Sequence, residues 1–507
     1  MTSNLSTATA EPFSPLPAHT LFCKVIPNFL SRQECQTLIA ESEQRGFSPA
    51  SDDYPPSYRN NDRQVIDSMD LANNMLARIR GLIPPFLTIE VDSHEGSPWV
   101  LDSINERFRF CRYLPGQQFE IHQDGVHYRG RSQQSFLTFL IYLSDASDCE
   151  GGDTLFYESG PTASTKPTAK VTPRIGTLIV FDHRLWHAGE GVTSGVKYIL
   201  RSDLIYQASN QSHPHSAAPF MHGHQGYVWT LEALDDKTFA SAGRDTAIHV
   251  WAAKGGVLRS LQGHTRSVLG LARLTQGRVA SVSRDRSLRI WDWKSGCCLR
   301  VVGSAHDAAV LSVVALEGNG LATASADHMI KLWNSDGKTI GDLAGHKGWV
   351  WSVDRLPNGQ LASASEDGDL RVWDTTSGTC THVLRGDVPL RSCSVSPCGQ
   401  RIATASIDGF LCIWQFTGET WEIQNNIRAH DAAVRRVRWV NSNQLASAGE
   451  DNHTRLWTIP ELRQVLAQSS KNFTTDILKM GDGILDCAYD GQIRWLDSGA
   501  ATSWDLK

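Results

Sequence analysis

The segment FEIHQDGVHYRG, residues 119–130, contains His122 and Asp124 separated by a single residue. Residues two apart on a β-strand point to the same face, so both side chains could bind one metal ion. On its own the pair is also explained by polar side chains at a protein surface, because a His-x-Asp triplet arises by chance in many chains. A facial iron site needs a second histidine and leaves its remaining coordination positions open. His183 and His187 follow the later apolar stretch GTLIVFD and are the candidates.

A second set of chemically interesting residues lies in the stretch KYILRSDLIY, which begins at Lys197 and is predicted to be a strand. Alternation along this strand places Lys197, Ile199, Arg201 and Asp203 on one face. Two cations therefore point where an apolar packing face is expected, and a buried cation needs an anion nearby. The alternative for Lys197 is a solvated charge on a strand. Arg201 could be a second anion contact, a substrate contact or the partner of Asp203.

The elements that would position these residues are predicted within a domain covering residues 20–206. Two helices come first, and the first of them, LSRQECQTLIAESEQRG, has a capping box formed by Ser31 and Glu34 and ends at Gly46. The second, DSMDLANNMLARIRGLIPP, is stopped by its two prolines. From Phe108 onward the pattern changes to short strands separated by turns that contain Gly or Pro. We therefore predict helices packed on an antiparallel sandwich.

Composition limits the class of protein and its surroundings. The chain of 507 residues is 41% hydrophobic and 20% charged, which is typical of a soluble protein with more than one domain. Its formal net charge of -6 gives no basic field for phosphates and argues against a nucleic-acid partner. The eleven cysteines form no C-x-x-C pair, which favours a reducing cytoplasm over a disulfide framework or a zinc ribbon. Residues 1–19 are predicted to be a disordered tail, and neither secretion nor membrane insertion is expected.

Taken together, YLPGQQFEIHQD, the later Gly-Gly, WHAG and Lys197 resemble the Fe(II)/2-oxoglutarate-dependent dioxygenases, specifically the prolyl 4-hydroxylase catalytic domain. That family has Tyr-x-x-Gly-x-x-Phe-x-x-His-x-Asp, Gly-Gly, His-Ala-Gly and then a Lys or Arg about ten residues on. The resemblance covers roughly residues 105–206 and implies a double-stranded β-helix, or jelly roll. It implies that His122, Asp124 and His187 bind Fe(2+), and that Lys197 pairs with the distal carboxylate of 2-oxoglutarate. His183 is then expected to be a turn residue or a hydrogen-bond donor behind the ligands.

Further site residues follow from the same resemblance. Tyr142 stands where an oxygen-sensing relative bonds the cosubstrate carboxylate, and Tyr113 begins the motif that precedes the first histidine. A tyrosine in an apolar strand is also commonly a core residue. The resemblance does not decide among the three roles given above for Arg201. Possible entrance residues, for which surface exposure or helix-sheet pairing is the alternative, are Arg59 to Arg63 (RNNDR), Asn105, Arg107 and Arg109.

The carboxy-terminal half contains a repeated unit, seen for example in SVSRDRSLRIWD and SASEDGDLRVWD. Seven aspartates lie 39 to 43 residues apart, six are followed by a tryptophan six residues later, and five are preceded by a histidine 21 residues earlier. This pattern resembles the WD40 repeat family and implies a seven-bladed β-propeller over residues 221–507. Each Asp and its upstream His are expected to satisfy buried polar groups rather than to bind metal. Residues 207–220 are predicted to be a linker.

The sequence leaves the closure of the propeller ring undecided and predicts a binding surface on its upper rim. The ring could be closed by ATSWDLK at the end of the chain or by APFMHGH before the first blade. The upper rim of a WD40 ring displays the residue before each turn aspartate and the start of each first inner strand. We predict that this rim binds protein through Tyr227, Trp229, Arg244, Arg284, Trp349, Trp351, Glu366, Arg435, Glu450 and Tyr489. The alternative for any tryptophan is packing between blades.

The resemblance implies a reaction with O2 in which 2-oxoglutarate is converted to succinate and carbon dioxide while a C-H bond is hydroxylated. Asp124 in the ligand set favours hydroxylation over halogenation, and L-ascorbate would keep the iron reduced. With the propeller as a recruiting module, we expect hydroxylation of a protein, with a prolyl residue as one candidate target. The alternatives are a WD40 interaction scaffold with a vestigial oxygenase domain, and an oxygenase that acts on a small molecule or a nucleic acid.

Overall fold

The computed structural model describes residues 11–17, 21–87, 98–127, 129, 133–158, 160, 165–208, 221–470 and 472–496. Internal contacts divide the chain into two units, Met1–His215 and Ser216–Lys507. This division falls within the predicted linker, of which residues 207 and 208 continue the last strand of the first unit and the rest lie outside the described residues. Across the described ranges, every helix is too short or too polar to span a membrane.

The first unit contains two α-helices and fifteen β-strands within its described residues. The helices are α1 (Arg32–Arg45) and α2 (Met69–Ile79), and a short 3-10 helix covers Ala50–Asp52. The strands are β1 (Cys23–Ile26), β2 (Ser48–Pro49), β3 (Asp62–Asp67), β4 (Phe86–Leu87), β5 (Trp99–Ile104), β6 (Arg107–Tyr113), β7 (Phe119–His122), β8 (Gln133–Tyr142), β9 (Cys149–Gly151), β10 (Thr154–Tyr157), β11 (Ala169–Val171), β12 (Leu178–Asp182), β13 (Trp186–Gly189), β14 (Val192–Gly195) and β15 (Lys197–Ala208).

Helix α1 begins and ends as its sequence predicts. The Ser31 hydroxyl accepts a hydrogen bond from the backbone N-H of Glu34 at 3.2 Å, and the Glu34 carboxylate accepts one from the backbone N-H of Ser31 at 2.8 Å. These two bonds satisfy orphan donors of the first helical turn. The helix ends at Gly46, whose φ of 82° lies in the region that favours glycine. The predicted capping box and C-cap are both confirmed.

The strands form two antiparallel sheets and a short pair. The larger sheet has the order β1-β12-β8-β15-β6-β3-β2, with β5 beside β15 and β4 beside β5. The smaller sheet has the order β11-β10-β13-β7, and β14 pairs with β9. One apolar core joins the helices to the larger sheet, and a second contains residues of both sheets, such as Phe119, Phe156 and Ile199. The predicted arrangement of helices packed on an antiparallel sandwich is confirmed, and the functional residues lie at the second core.

The amino-terminal region differs in part from the predicted disordered tail of residues 1–19. Phe13 exchanges two backbone hydrogen bonds with Val25, at 3.0 and 2.8 Å, and so adds a bridge to the edge strand β1. Leu16 is only 8% exposed and belongs to the second core. A short apolar anchor therefore orders this stretch, although its composition is that of a polar tail. Residues 1–10 and 18–20 lie outside the described residues.

The second unit consists of seven four-stranded antiparallel sheets in its described residues, which confirms the seven-bladed propeller. Its first strand is β16 (Met221–His222). The next strands are β17 (Val228–Ala233), β18 (Thr238–Gly243), β19 (Ile248–Ala252), β20 (Val257–Leu261), β21 (Val268–Arg273), β22 (Arg278–Ser283), β23 (Leu288–Asp292), β24 (Cys298–Val302), β25 (Val310–Ala315), β26 (Leu321–Ser325), β27 (Ile330–Trp333) and β28 (Thr339–Leu343). The remaining strands are β29 (Val350–Arg355), β30 (Leu361–Ser365), β31 (Leu370–Asp374), β32 (Thr379–Leu384), β33 (Leu390–Val395), β34 (Arg401–Ser406), β35 (Phe410–Phe416), β36 (Trp421–Arg428), β37 (Val434–Asn441), β38 (Gln444–Gly449), β39 (His453–Thr458), β40 (Arg463–Ser469), β41 (Thr474–Met480), β42 (Gly483–Ala488) and β43 (Gln492–Trp495).

The ring is closed by the strand that precedes the first blade. Met221 pairs with Ile493 and His222 with Gln492, so β16 becomes the outer strand of the blade formed by β41, β42 and β43. Of the two closures that the sequence allows, the one through APFMHGH is therefore present. The segment ATSWDLK lies outside the described residues.

The repeated polar residues of the propeller bond to one another inside each blade. In the second blade His264 Nδ1 lies 2.9 Å from Asp285 and His264 Nε2 lies 2.8 Å from the hydroxyl of Ser281, which also accepts a hydrogen bond from Trp291 Nε1 at 2.8 Å. The blades that contain His224, His306, His346 and His430 repeat this His-Asp contact. These residues hold the blades together, as predicted, because each buried polar group has a partner.

Candidate functional site

His122, Asp124 and His187 lie together at the edge of the smaller sheet. His122 ends β7 and is the direct neighbour of His187 on β13, so strand pairing brings the two imidazoles within 4.2 Å of each other, centroid to centroid. Asp124 Oδ1 lies 3.6 Å from His122 Nε2, and its Oδ2 lies 3.5 Å from His187 Nε2. All three side chains are buried. One ligand atom from each residue lies within 4.8 Å of the others, which is a spacing that one metal ion can bridge.

The backbone fixes the orientation of both imidazoles. His122 Nδ1 lies 2.7 Å from the carbonyl oxygen of Glu120, and His187 Nδ1 lies 3.0 Å from that of Leu185. A hydrogen bond from Nδ1 to a carbonyl leaves the lone pair on Nε2, which is the tautomer that a metal ligand needs. His122 Nε2 is buried and has no hydrogen-bond partner among the described residues. An unpaired buried nitrogen of this kind is costly unless an ion or ligand satisfies it.

Asp124 is held in place through both of its carboxylate oxygens. The Thr138 hydroxyl on β8 donates a hydrogen bond to Oδ2 at 2.5 Å, and the Arg201 guanidinium on β15 donates one to Oδ1. The backbone N-H of Asp124 donates to the carbonyl oxygen of His183 at 3.0 Å. Asp124 follows β7 rather than lying on it, so these three contacts place its side chain beside those of the histidines.

The ionisation of the three groups suits metal binding. Burial lowers the pKa of His187 to about 3, and the nearby His122 acts in the same direction. Burial also lowers the pKa of His122, against an opposing effect of Asp124. Burial alone would raise the pKa of Asp124, but Arg201 and His187 hold it well below its usual value. At neutral pH the site therefore presents two neutral imidazoles and one carboxylate, the protonation state in which these groups bind metal.

Lys197 lies at the start of β15 and is only 1% exposed. Its Nζ lies 5.1 Å from the ring centroid of Tyr113 and 5.5 Å from that of Tyr142. Within the described ranges no carboxylate forms an ion pair with this ammonium. Burial lowers the pKa of Lys197 to about 8, against smaller opposing effects of Cys149 and Asp153. A buried ammonium without an anion is poised to bind one.

The Gly-Gly turn makes room for this lysine. Gly152 has a φ of 80°, and a Cβ atom on it would lie 3.0 Å from Cδ of Lys197. A larger residue would therefore be strained in its backbone and would press on the lysine stem. The Gly-Gly pair thus also shapes the space around the cation.

The two predicted cosubstrate tyrosines differ in their surroundings. The Tyr142 hydroxyl lies within hydrogen-bonding distance of Thr154 Oγ1, at 2.6 Å, and of the Val171 carbonyl oxygen, at 2.8 Å. Its ring is fully buried in the second core. Tyr113 is also buried, and burial raises its pKa. Both rings border Lys197, so their role as cosubstrate contacts stays a prediction that the geometry permits.

Arg201 contacts a residue that none of its three predicted alternatives included. Its guanidinium bonds to Asp124, whereas Asp203 accepts hydrogen bonds from Asn105 at 3.0 Å and from Arg109 at 3.4 Å. Arg201 also interacts electrostatically with Asp203, which was one of its three alternatives, but its hydrogen bond goes to the buried carboxylate of Asp124.

Asn105 and Arg109, two of the predicted entrance residues, and His183 lie deeper than a surface position. His183 and Asn105 are 3% and 1% exposed, and both contact the buried Asp203, His183 through an Nε2 that lies 4.0 Å from its carboxylate. Arg109 pairs with the same aspartate. Arg107 lies at the surface and pairs with Asp67. His183 lies in the turn after β12, which was one of its two alternatives, and neither of its ring nitrogens has a hydrogen-bond partner among the described residues.

Two residues of this site received no site role from the sequence, and a third was placed only at the entrance. Thr138 holds Asp124, Phe119 stacks on His122 with ring centroids 3.6 Å apart, and Arg59, named only as an entrance residue, is 4% exposed. Thr138 and Phe119 lie in strands whose apolar pattern predicts core. Arg59 lies in a polar stretch, and only its tertiary surroundings reveal its burial.

The predicted rim residues of the propeller form two aromatic groups. In the first, Tyr227 and Trp229 pack on Tyr489 with centroids 4.2 and 5.2 Å apart, and Arg435 lies 5.8 Å from the Trp229 ring. Arg435 also pairs with Glu450 at 2.5 Å, and Arg244 lies 5.0 Å from the Tyr227 ring. Arg284 is half-buried.

In the second group Trp349 and Trp351 pack together at 5.3 Å, and Trp351 Nε1 donates a hydrogen bond to Glu366 at 2.6 Å. Trp349 is only 6% exposed and belongs to an apolar cluster between blades. It therefore packs between blades, which was the alternative to a binding role. Trp351 remains half-buried.

A further set of metal-type residues lies in the first blade, where His224, Asp245 and His249 offer atoms within 4.8 Å. Both ring nitrogens of His224 are already used, by Asp245 at 3.0 Å and by Ser241 at 2.6 Å. His249 Nδ1 is bonded to Ser260 at 2.7 Å. The group therefore consists of the His and Asp that bond to each other in the other blades, with His249 beside them.

Comparison with known proteins identifies both halves of the chain. The family described as "2OG-Fe(II) oxygenase superfamily" matches residues 108–202. The family described as "WD domain, G-beta repeat" matches six segments, which are 218–252, 255–292, 296–334, 337–374, 378–415 and 421–458. Strands β41 to β43 of the seventh blade lie beyond these six segments, whereas its outer strand β16 lies within the first of them.

Three similar proteins illustrate the relatives of the chain. A ribosome biogenesis protein WDR12 homolog of Drosophila persimilis is 25% identical over 214 residues, which is 37% of this chain and 51% of the relative. Ribosome biogenesis protein YTM1 of Eremothecium gossypii is 30% identical over 109 residues, 18% of this chain and 24% of the relative. Protein transport protein SEC13 of Chaetomium globosum is 39% identical over 62 residues, 12% of this chain and 21% of the relative. The chain thus spans about half or less of the length of these relatives.

Proposed function

Since the chain joins a domain of the 2OG-Fe(II) oxygenase superfamily to a set of WD repeats, we propose that it is an iron(II)- and 2-oxoglutarate-dependent dioxygenase that hydroxylates a protein. The observation that carries the proposal is the convergence of His122, Asp124 and His187, with each imidazole tied to a backbone carbonyl through Nδ1. In this proposal these three residues hold the iron, and Lys197 holds the distal carboxylate of 2-oxoglutarate.

The residues present fit both groups. Two imidazole nitrogens and one carboxylate are the donor set of facial iron(II) sites, and His122 Nε2 is a buried donor atom without a partner among the described residues. Lys197 supplies a buried cation that lacks an anion in the same part of the chain. Iron and 2-oxoglutarate together would supply the oxidising chemistry, in which O2 and 2-oxoglutarate yield succinate, carbon dioxide and a hydroxylated substrate.

The protein's own contribution is to orient these groups and to exclude water. Thr138 and Arg201 fix the carboxylate of Asp124, and the Nδ1 bonds fix the planes of both imidazoles. Such second contacts keep a metal ligand in its bound geometry before the ion arrives. The burial of all three ligands and of Lys197 lowers the local dielectric and strengthens the pairing of charges.

The propeller would recruit the substrate. Its rim residues Trp229, Trp351 and Arg435 are of the types that dominate protein interfaces. The names of two relatives concern ribosome biogenesis, so an assembly factor or ribosomal protein is one class of candidate substrate. A prolyl target and stimulation by ascorbate belong to the same proposal, and they rest on the motif spacing from Tyr113 to Lys197. The cytoplasmic location expected from the sequence stays a prediction.

The decisive experiment measures succinate formation by the full chain with iron(II), 2-oxoglutarate and candidate protein substrates. Mass spectrometry of the substrates should locate a mass increase of one oxygen atom. The protein could instead bind iron and oxidise 2-oxoglutarate while added protein substrates neither stimulate this turnover nor gain an oxygen atom. That result would support a small-molecule or nucleic-acid substrate. If it binds neither iron nor 2-oxoglutarate, the alternative of an interaction scaffold with a vestigial oxygenase domain is favoured.

A further inference from the structure

Arg59 is a buried cation beside the metal-type ligands, and the established contacts leave its charge uncompensated. It lies in the segment before β3 and is 4% exposed. Its Nε donates a hydrogen bond to Asn61 Oδ1 at 2.7 Å, and its Nη2 lies 3.3 Å from Cys111 Sγ. Both partners are neutral groups. Throughout the described residues no carboxylate forms an ion pair with this guanidinium, which stays charged at any physiological pH.

The surroundings of Arg59 connect the ligand cluster to Lys197. On one side its guanidinium carbon lies 4.3 Å from the ring centroid of Phe119, and that ring stacks on His122 with centroids 3.6 Å apart. On the other side Arg59 interacts electrostatically with Tyr113, whose ring lies 5.1 Å from Nζ of Lys197. Arg59 therefore packs through Phe119 against the proposed ligand His122, whereas Lys197 lies beside Tyr113 and Tyr142.

Three carboxylates around these two cations are already engaged in ion pairs. Asp124 bonds to Arg201, Asp203 pairs with Arg109, and Asp153 pairs with Lys170 at 2.9 Å. Glu190 acts electrostatically on Lys197 but accepts its hydrogen bond from the backbone N-H of Asp153, at 3.1 Å. Two buried positive charges thus remain without an ion pair among the described residues. Burying an unpaired charge is strongly unfavourable, so such a pair persists where a ligand supplies the anions. A dicarboxylate has the matching charge of two.

We propose that Arg59 is the second cation of the cosubstrate pocket, and that it binds the carboxylate of 2-oxoglutarate at the iron end while Lys197 binds the distal one. This inference rests on the proposed function, because it takes 2-oxoglutarate as the ligand. Arg59 is separate from the motif residues, since it precedes His122 by more than sixty positions and reaches the pocket only through the fold.

The test uses the full chain loaded with manganese(II), which permits binding to be measured without turnover. Calorimetric titration compares 2-oxoglutarate with 2-oxobutyrate, a keto acid that lacks the distal carboxylate. Wild type should prefer 2-oxoglutarate, and Lys197→Met should lose that preference. Arg59→Met should weaken the binding of both keto acids by a similar factor and should keep the preference for 2-oxoglutarate. The expected factor is roughly thirtyfold or more, the scale for removing one partner of a buried charge pair. Arg59→Lys should bind both more tightly than Arg59→Met.

Several outcomes would overturn the proposal. If Arg59→Met binds both keto acids as tightly as wild type does, Arg59 is not part of the pocket. If this variant loses the preference for 2-oxoglutarate, Arg59 binds the distal carboxylate instead. A purely structural role predicts a lower melting temperature of the ligand-free variant with unchanged binding, whereas an uncompensated charge predicts no loss of stability. Arg59→Gln makes the same predictions if Arg59→Met does not fold. If wild type with bound manganese binds neither keto acid, the cosubstrate assignment itself fails, which is a distinct result.

Discussion

Arg201 donates a hydrogen bond from its guanidinium to Oδ1 of Asp124, so a proposed iron ligand is already paired with a cation. Thr138 bonds to the other oxygen of the same carboxylate. The two contacts come from β15 and β8, neighbouring strands of the larger sheet. The larger sheet therefore orients the carboxylate, while the smaller sheet supplies both histidines.

This pairing predicts a stability effect that depends on metal. Arg201→Met should lower the unfolding free energy of the metal-free protein by about 3 to 5 kcal/mol, because it leaves Asp124 buried without a counter-charge. A divalent ion should restore much of the loss, since it supplies positive charge to the same carboxylate. Denaturant unfolding with and without manganese(II) measures both values. Equal destabilisation in the two conditions would show that Arg201 acts elsewhere.

Alanine at His122, Asp124 or His187 should abolish iron(II) binding and succinate formation. Each variant removes one of three donors, and no other described carboxylate or imidazole belongs to this cluster. Anaerobic titration with iron(II) gives the stoichiometry of binding. His382→Ala, in an exposed stretch of the propeller, is the matched control and should bind one ion as wild type does. Stoichiometric iron in all three site variants would refute the ligand assignment.

Lys197→Ala should raise the apparent KM for 2-oxoglutarate, because the distal carboxylate would lose its partner at a cost of about 2 to 5 kcal/mol. Initial rates of succinate formation over a range of 2-oxoglutarate concentrations measure the change. The exposed Lys166 offers a control variant, Lys166→Ala, that should leave this KM unchanged. An unchanged KM in Lys197→Ala, together with an increase in Arg201→Ala, would assign the carboxylate to Arg201.

The lowered pKa of Lys197, about 8, predicts a pH dependence of cosubstrate binding. The ammonium is charged below this value and loses its proton above it, so the affinity for 2-oxoglutarate should fall as the pH rises from 7 towards 9. Lys197→Arg keeps its charge over this range and should flatten the profile. The Kd for 2-oxoglutarate at several pH values, measured on the manganese-loaded protein, provides the test. A profile that is flat in wild type would contradict a depressed pKa in the unliganded pocket.

Only part of the ligand cluster can be predicted from local sequence. His122 and Asp124 are two residues apart, so strand alternation predicts that they lie together, whereas His187 is distant in sequence and was preferred over His183 because of the resemblance to the dioxygenase family. The partner of Arg201 could not be predicted in the same way. Alternation places Arg201 and Asp203 on one face, but only the packing of β7 against the larger sheet brings Asp124 closer to Arg201.

The sequence also does not predict which residues of a polar stretch are buried. RNNDR has no hydrophobic period, yet the fold buries Arg59 and Asn61 against Phe119 and Cys111. In the propeller the period of the turn aspartates predicts every blade, and in five of the seven blades a bonded histidine accompanies the Asp and Trp. It does not predict which rim tryptophans pack inward, and Trp349 is more deeply buried than Trp351.

The last prediction concerns recruitment by the propeller. Trp229 and Trp351 are half-buried rim residues, and the buried Nε1 of Trp229 has no hydrogen-bond partner among the described residues. If the rim binds the protein substrate, Trp229→Ala and Trp351→Ala in the full chain should each lower kcat/KM on that substrate by roughly tenfold or more, the scale of an interface hot spot. The same variants should leave kcat/KM on a short peptide unchanged, because a peptide without the recruiting surface gains nothing from the tethered ring. Ile340→Ala, on an outer strand and 63% exposed, is the control and should match wild type on both substrates. Equal kcat/KM of the rim variants and wild type on the protein substrate would refute recruitment through this face.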